Sequence, residues 1–563
     1  MSNIENIVIT IKDLPHYKCD IKSNSIDMIE IISKHLSIKE ERSFLNTRVK
    51  WKKMWIKSTH TTKMFTDYTY IDKDKINRVG LVVRRGLIDH VLSKIDFLKM
   101  NNSSIEVIYE RESDKIKIIP KWIEIFKSHP KGLEVGLRQL SDTMKLLQNN
   151  NGTAELFTGA GKTEMIIGIS ESYMTQYPDS NVLILVPLKA IGDEISIRMK
   201  RYGVDHHVNY VGESGISIIN PIGYMSSGAP KDEKIIRRSK KIGLMITDES
   251  HHASANSYFK IVDELLENIR FSYGFSGSAD SRSGNEISVE TSPQDLGANV
   301  CRVISLTGPS RIRRDPVIQL ELIRIYTKLA DKRDNKSKSV QTDFNKDNLD
   351  VSLSEDEIMS IINGAKDSSN DKKSDSWISR LDESLVSTNI VPIIAFILKN
   401  NPDRLFYMPV HKKDSGKQLH AALQAYGIPG VYWDSNTLTP PLIDDAYGTD
   451  KNMGILDRMK KVLGNPDTPF RYLISTTVGF EGIDIPRLNA IIPLTGTSFR
   501  TIVQPIGRSA RGHNVLVVLL FDSNNRILYT QSESRYKTIL KTYNVIYDRK
   551  INIKDQSVNY SLF

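Results

Sequence analysis

The stretch Ile242-Gly243-Leu244-Met245-Ile246-Thr247, running into Asp248-Glu249-Ser250-His251, constrains the fold more than any other part of the chain. An unbroken apolar run ended by adjacent carboxylates suits a strand buried on both faces of a parallel sheet. Ligand chemistry in such sheets gathers beyond the carboxyl ends of the strands, where Asp248 and Glu249 would stand. About ninety residues upstream, Thr158-Gly159-Ala160-Gly161-Lys162-Thr163 follows a short strand, Ala154 to Phe157, and opens an apolar helix through Met165-Ile166-Ile167-Gly168-Ile169. Glycines at such a junction let backbone N–H groups close on phosphate oxygens at a helix N-terminus. Lys162 is then placed for the β- and γ-phosphates and the Thr163 hydroxyl for Mg²⁺. The strict spacing of this loop has glycine at position 156, and Leu156 stands there instead. A phosphate loop followed in this order by an acidic strand end predicts hydrolysis of a nucleoside triphosphate.

With 563 residues the chain exceeds the roughly 250–300 that one core organises, so several domains are expected. A net charge of +10 and a pI near 9.1 favour a polyanionic partner, nucleic acid before anionic membrane. The same charge also suits an ordinary basic surface. Cys19 and Cys301, the only cysteines, make neither a disulfide framework nor a zinc site, which suits a reducing compartment. No segment reaches about 18 continuous apolar residues, and the N-terminus lacks a signal-peptide core. The expectation is a cytoplasmic protein with no membrane partner.

Residues 1–120 mix strand patterns such as Ile7-Val8-Ile9-Thr10-Ile11 with a helical pattern from Ile26 to Leu36, predicting a small α+β domain. Residues 121–328 alternate apolar strands with helical patterns, predicting a first parallel-sheet domain. Residues 329–385 are largely rich in Lys, Asp, Ser and Asn and are assigned as a linker or insertion. A second βαβ series fills 386–563, with strands at Leu405 to Met408, Val431 to Trp433, Tyr472 to Ser475, Ala490 to Pro493 and Val515 to Phe521. In that second domain, Gln504-Pro505-Ile506-Gly507-Arg508-Ser509-Ala510-Arg511 places two arginines three apart, on one face of a helix. A guanidinium held against a γ-phosphate stabilises transition-state charge, worth roughly 10³–10⁵ in rate. An isolated pair of this kind also suits a solvated helix start.

Taken in order, these elements resemble the superfamily-2 helicases and translocases over about residues 134–525. Arg138-Gln139 is similar to their adenine-reading motif, Thr158 to Thr163 to motif I, and Leu185-Val186-Pro187 to motif Ia. Asp248 to His251 is similar to motif II in its DExH form, and Ser276-Gly277-Ser278 to motif III. Thr476 with Gly482-Ile483-Asp484 resembles motif V, and Gln504 to Arg511 resembles motif VI. The resemblance implies two tandem RecA-like domains with ATP and Mg²⁺ bound between them. It implies that Gln139 contacts adenine and that Thr158, Gly159, Ala160, Gly161, Lys162 and Thr163 cradle phosphate. Asp248 and Thr163 would hold Mg²⁺, and Glu249 would orient or deprotonate the attacking water. Gly482, Asp484 and Gln504 would join the second domain to ATP, with Arg508 and Arg511 sensing its γ-phosphate. Two positions depart from the pattern: Glu481 stands where many relatives are basic, and Asn220-Pro221 stands where a threonine-rich motif would precede the acidic strand.

From Arg42 to Thr66 the chain has no acidic residue. Arg48, Lys50, Lys52, Lys53 and Lys57 are candidate phosphate contacts there, interleaved with Phe44, Trp51, Trp55 and Phe65. The tryptophans also suit one buried face of a strand pair, with the basic side chains outward. Phe44-Leu45-Asn46-Thr47-Arg48, Trp51, Trp55, Gly80-Leu81-Val82 and a helical Leu87 to Ile95 resemble the N-terminal domain of phage UvsW-type helicases. So does Tyr273-Gly274-Phe275-Ser276-Gly277-Ser278. That resemblance implies a monomeric phage protein of DNA recombination and repair, working in the host cytoplasm. Its expected work is ATP-driven remodelling of branched or forked DNA: fork regression, branch migration and removal of RNA–DNA hybrids. Two other classes stay open: the duplex translocase of a restriction or defence system, and a nucleic-acid-binding module that uses ATP only as a switch.

Overall fold

The apolar run 242–248 is a strand in the computed structural model, and every one of its residues is buried. The structure describes residues 7–327 and 390–552. Within the first span it leaves out 16, 47–53, 73, 101–103, 110–113, 131, 157–159, 227–237, 278–289, 310 and 315–318. Within the second it leaves out 435–436, 444–446, 451–452, 477–484, 486, 495–505, 507–513 and 523–525. The chain divides into two units, Met1–Arg314 and Asp315–Phe563.

The first unit opens with a small α+β domain. Its strands are β1 (Ile7–Leu14), β2 (Lys18–Ser23), β3 (Ser37–Asn46), β4 (Met54–Lys63), β5 (Phe65–Ile71), β6 (Asn77–Arg84) and β7 (Ile105–Tyr109). Five of them form a sheet in the order β5-β6-β2-β1-β7, while β3 and β4 pair as a separate antiparallel hairpin. Helices α1 (Ile26–His35) and α2 (Ile88–Lys99) place Met28, Ile29, Ile32, Ile88, Val91 and Ile95 over Ile9, Ile11, Cys19, Ile21, Leu81 and Val83. Ser25 caps α1 by accepting the Met28 N–H at 3.3 Å, so the helix starts where its apolar periodicity starts. Lys57 lies on β4 opposite Ser43. Arg48, Lys50, Trp51, Lys52 and Lys53 lie outside the described residues.

Next come α3 (Pro120–Lys127), α4 (Leu133–Leu146), β8 (Asn151–Leu156), α5 (Lys162–Gln176), β9 (Asn181–Leu185), α6 (Lys189–Arg201), β10 (His206–Val208), β11 (Ile216–Ile219) and α7 (Pro221–Ser226). They are followed by β12 (Ile242–Asp248), α8 (Asn256–Leu265), β13 (Phe271–Ser276), α9 (Pro293–Leu296), α10 (Ala298–Thr307) and β14 (Arg311–Arg314). The seven strands form one fully parallel sheet, ordered β10-β11-β9-β12-β13-β8-β14. β8, β9, β12 and β13 are buried along their whole length, as helices on both faces require. β8 and β12 are separated by β13, so the phosphate loop and the acidic strand end leave the same edge of the sheet.

The N-terminal domain is fastened to this layer through both its sheet and its hairpin. Lys39 and Gln294 exchange two hydrogen bonds, at 2.8 and 2.7 Å, and Arg84 and Lys18 both reach Asp263 on α8, at 2.6 and 3.0 Å. Gly86 packs against α10 so closely that a Cβ there would lie 2.1 Å from the Ile304 carbonyl oxygen. Ile38 and Leu87 join Leu296, Val300, Cys301 and Ile304 in one buried cluster.

The second unit holds β15 (Gln319–Thr327), α11 (Ile390–Lys399), β16 (Leu405–Pro409), α12 (Lys413–Ala425), β17 (Gly430–Trp433), β18 (Leu438–Thr439), α13 (Ile455–Gly464) and β19 (Tyr472–Ser475). It continues with β20 (Leu488–Ile491), β21 (Asn514–Asp522), α14 (Arg526–Thr542) and β22 (Asn544–Asn552). Its sheet, β18-β17-β19-β16-β20-β21-β15-β22, is parallel except for β18. The architecture is therefore two tandem RecA-like α/β domains after a small α+β domain. One boundary differs from the sequence reading. Residues 319–327, assigned to the first α/β domain, form β15 in the second sheet, where they pair in parallel with both β21 and β22. Non-local pairing of that kind leaves no mark in local periodicity.

Candidate nucleotide site

The site is built at the carboxyl ends of β8 and β12. β8 runs through Leu156, which is 1 % exposed and part of the core. That explains why a bulky residue is tolerated where the usual loop has glycine: position 156 belongs to the strand and not to the turn. The turn reaches Gly161, whose φ of 88° lies in the left-handed region and which caps α5. A Cβ at Gly161 would fall 2.1 Å from Gln139 Nε2, so glycine is needed both for conformation and for space.

Lys162, the first residue of α5, donates to the Leu156 carbonyl at 3.1 Å and lies 4.0 Å from Glu249 Oε1. Both side chains are nearly buried, so this contact is an attraction in low dielectric and not a screened surface pair. Asp248 ends β12 and accepts the Glu249 N–H at 2.9 Å. Glu249 sits at φ 46° and ψ 53°, a left-handed conformation that is uncommon outside glycine and recurs at functional turns. The bend turns the carboxylate out of the strand direction and towards Lys162.

Burial, with the neighbouring Glu249 charge adding to it, pushes the Asp248 carboxyl up to about 7, and Lys162 opposes the shift. A buried carboxyl this reluctant to ionise suits an added cation. The Thr163 hydroxyl, in the first turn of α5, and Asp248 are the residues that would hold Mg²⁺. One hydroxyl, one carboxylate, waters and substrate phosphates form the kind of oxygen set that this ion takes.

Around the site, His129, His251 and Asn220 make contacts that the sequence reading did not assign, and Gln139 is placed by one of them. Gln139, 2 % exposed on α4, donates its amide to the Ala160 carbonyl at 3.1 Å and lies 3.3 Å from His129 Nε2. A carbonyl can only accept, so the NH₂ end faces the phosphate loop, and Oε1 is buried without a hydrogen-bond partner among the described residues. His129 precedes Gln139 by ten residues and no local motif marks it. His251 Nδ1 lies 2.9 Å from Ser276 Oγ and 3.5 Å from Glu249 Oε2, tying the acidic strand end to the end of β13. Asn220 donates to the carbonyls of Val186 and Pro187 and accepts the Gly223 N–H at 2.8 Å, so it fastens the loop after β9. A short polar residue after β11 was the only signal for it.

Of the sequence-predicted site residues, Gln139, Ala160, Gly161, Lys162, Asp248 and Glu249 are brought together, with Thr163 in the same helical turn as Lys162. Thr158, Gly159, Gly482, Asp484, Gln504, Arg508 and Arg511 lie outside the described residues. Their described neighbours, Thr476 at the end of β19 and Ile506, are buried in the second unit.

A parallel sheet with a glycine-capped helix at one strand end, adjacent carboxylates at another, and Ser276 bonded to His251 is the arrangement of a nucleotide-binding α/β domain. The chain carries a superfamily-2 helicase-type domain: residues 108–277 match the family described as type III restriction enzyme, res subunit. No curated protein sequence matches the chain. Among solved structures it is similar to UvsW of bacteriophage T4, with 15 % identity over 97 % of this chain and 99 % of that one, at a TM-score of 0.37. It is also similar to Dbp5 of S. cerevisiae bound to RNA and ADP BeF3, with 12 % identity over 78 % and 94 % and a TM-score of 0.47. A third similarity is to the Hef helicase domain of Pyrococcus furiosus, with 15 % identity over 72 % and 97 % and a TM-score of 0.39. Among the described residues no helix is long and apolar enough to cross a membrane.

Proposed function

We propose that this protein is a monomeric, ATP-driven DNA helicase that remodels branched DNA by fork regression and branch migration, and that it also removes RNA–DNA hybrids. The observation that carries the reading is the buried trio of Lys162, Asp248 and Glu249 at two strand ends of one parallel sheet. Lys162 is held by the Leu156 carbonyl and Glu249, contacts that an incoming γ-phosphate can replace. Glu249, released from Lys162, takes the proton of the attacking water or orients it. Thr163 and Asp248 would hold Mg²⁺, which when bound would supply positive charge to the substrate phosphates. The Gln139 carbonyl accepts from the adenine amine. Arg508 and Arg511 stabilise the leaving charge, so loss of the γ-phosphate loosens the second domain and resets the step. The work takes place in the cytoplasm.

ATP turnover measured on single-stranded, linear duplex, forked and hybrid substrates tests the reading. Forked DNA should stimulate most and be unwound. A second reading is favoured by the family match: a duplex translocase of a restriction system, for which linear duplex would stimulate equally and no strand would separate. No turnover on any substrate would leave only an ATP-binding switch.

A further inference from the structure

Helices α1 and α2 cover one face of the five-stranded N-terminal sheet. Alternation along the strands turns Lys12, Lys18, Asp20, Lys22, Tyr68, Tyr70, Arg78 and Arg84 to the other face. Their contacts agree with that assignment. Tyr68 donates its hydroxyl to Asp20, Lys22 pairs with Asp20 at 3.3 Å, and the Lys22 ammonium lies 4.8 Å from the Tyr70 ring centroid. Lys18 and Arg84 take one end of this face to Asp263, and the tyrosines lie towards the other end.

Tyr68 stands opposite Gly80 and Tyr70 opposite Arg78. A Cβ on Gly80 would fall 2.5 Å from the Tyr68 ring, so the missing side chain lets that ring lie flat across β6. The ring thus has one π face against the backbone and the other turned outward. The Tyr70 centroid is 5.9 Å away, tilted by 40°, and both residues are half-buried. Covering a strand glycine accounts for Tyr68 alone. It leaves Tyr70, with a cation at its ring and no glycine beneath it, unexplained by sheet stability.

We propose that this face binds single-stranded nucleic acid, with unpaired bases stacked on Tyr68 and Tyr70 and flanking phosphates met by Lys12 and Lys22. The occupant follows from the chemistry. Same-face rings two residues apart on one strand suit successive bases whose π faces are free, which a duplex does not offer. Basic residues outnumber Asp20, Asp72 and Glu106 along the face, which suits a polyanion and not a basic peptide. Asp20 and Asp72 already pair with Lys22 and Arg78, so stacking supplies most of the affinity and the salt dependence is shallow. The proposal rests on the nucleic-acid reading above and assigns to the sheet face the bases of an opened strand, a role distinct from the phosphate contacts expected of the basic segment 42–66.

The test titrates the full-length protein, without nucleotide, with a short oligothymidylate and with a blunt duplex. Changing Tyr68→Ala together with Tyr70→Ala, which removes two stacks, should weaken oligothymidylate binding by about 30-fold or more and leave duplex binding unchanged. Tyr68→Phe with Tyr70→Phe keeps the rings and should keep the affinity. Lys22→Ala should reduce the slope of log K against log salt by roughly 0.7. If the double alanine variant fails to fold, Tyr70→Ala alone decides, because its ring covers no glycine. Equal losses on both probes, no loss on oligothymidylate, or the same loss in the phenylalanine pair would overturn the proposal. The assay uses no ATP, so a wild type without stimulated hydrolysis would sink the motor reading separately.

Discussion

Each of the two parallel sheets ends a strand in a buried aspartate, and the two aspartates are treated in opposite ways. Asp434, after β17, is 1 % exposed and fully partnered. It accepts from the Tyr432 hydroxyl at 2.8 Å and the Thr437 N–H at 2.9 Å, with the Lys413 ammonium 3.7 Å away. Asp248, after β12, accepts the N–H of Glu249, carries a second carboxylate beside it, and is pushed up to about 7. Two further polar pairs in the second sheet's interior are mutually bonded: Tyr407 with Ser475 at 2.9 Å, and Tyr472 with His420 at 3.0 Å. His420 is itself held neutral, pushed down to about 4 by burial. A satisfied acid is architecture, whereas an acid left short of positive charge is a place for a ligand that brings it.

The contrast can be broken in four ways. The largest effect should come from Arg511→Ala. If the second domain contributes only transition-state charge from its motif VI arginines, turnover should fall by about 10³–10⁵-fold with melting unchanged, as steady-state ATPase and a melting curve would record. An arginine whose removal leaves turnover intact would confine the chemistry to the first sheet. Glu249→Gln comes next, with a loss of about 10²–10⁴-fold in turnover while ATP and DNA still bind. Equilibrium binding beside single-turnover hydrolysis checks it, and wild-type turnover would remove Glu249 from the mechanism. Third, Asp434→Ala should cost about 1–3 kcal/mol for each buried donor it strands, whereas Asp248→Ala should cost much less. Denaturant midpoints would settle this, and equal losses would erase the distinction.

The smallest effect concerns pH. The Asp248 carboxyl is raised in the folded, nucleotide-free protein, so its protonated form favours folding. That contribution is complete below the ordinary value of 3.8 and is lost as pH rises through about 7. Asp248→Asn, which cannot ionise, should therefore melt above the wild type near pH 8, with the gap narrowing as pH falls below about 7 and closing near 3.8. A gap that widens on acidification would reverse the assigned direction.

Much of this was legible because short-range pattern and burial agree. The run 242–248, the junction at Gly161-Lys162 and the helices at 26–35 and 88–99 follow from apolar spacing and a few turn residues. What escaped depends on contacts between distant segments. Nothing near residue 322 announces that its strand pairs with 514–522 and 544–552. The bond between His251 and Ser276 spans 25 residues, and Gln139 meets Ala160 across 21. The Tyr68 and Tyr70 face was hidden for another reason: the alternation that buries Phe65 against Val83 is the same one that turns the tyrosines outward, and only the register against Gly80 gives them meaning.

The close seat of Gly86 on the Ile304 carbonyl has a practical consequence for anyone who would cut this chain. Leu87 and Ile38 share a buried cluster with Val300, Cys301 and Ile304, and Tyr17 shares another with Leu183, Leu185 and Met245. A truncation that keeps the phosphate loop and discards the first hundred or so residues would lay both clusters bare to water. Such a fragment would be sticky, and its poor behaviour would say nothing about catalysis. The front of the protein is better probed by point substitution in the intact chain, and a swap of N-terminal domains between relatives would have to carry its seat on α10 along with it.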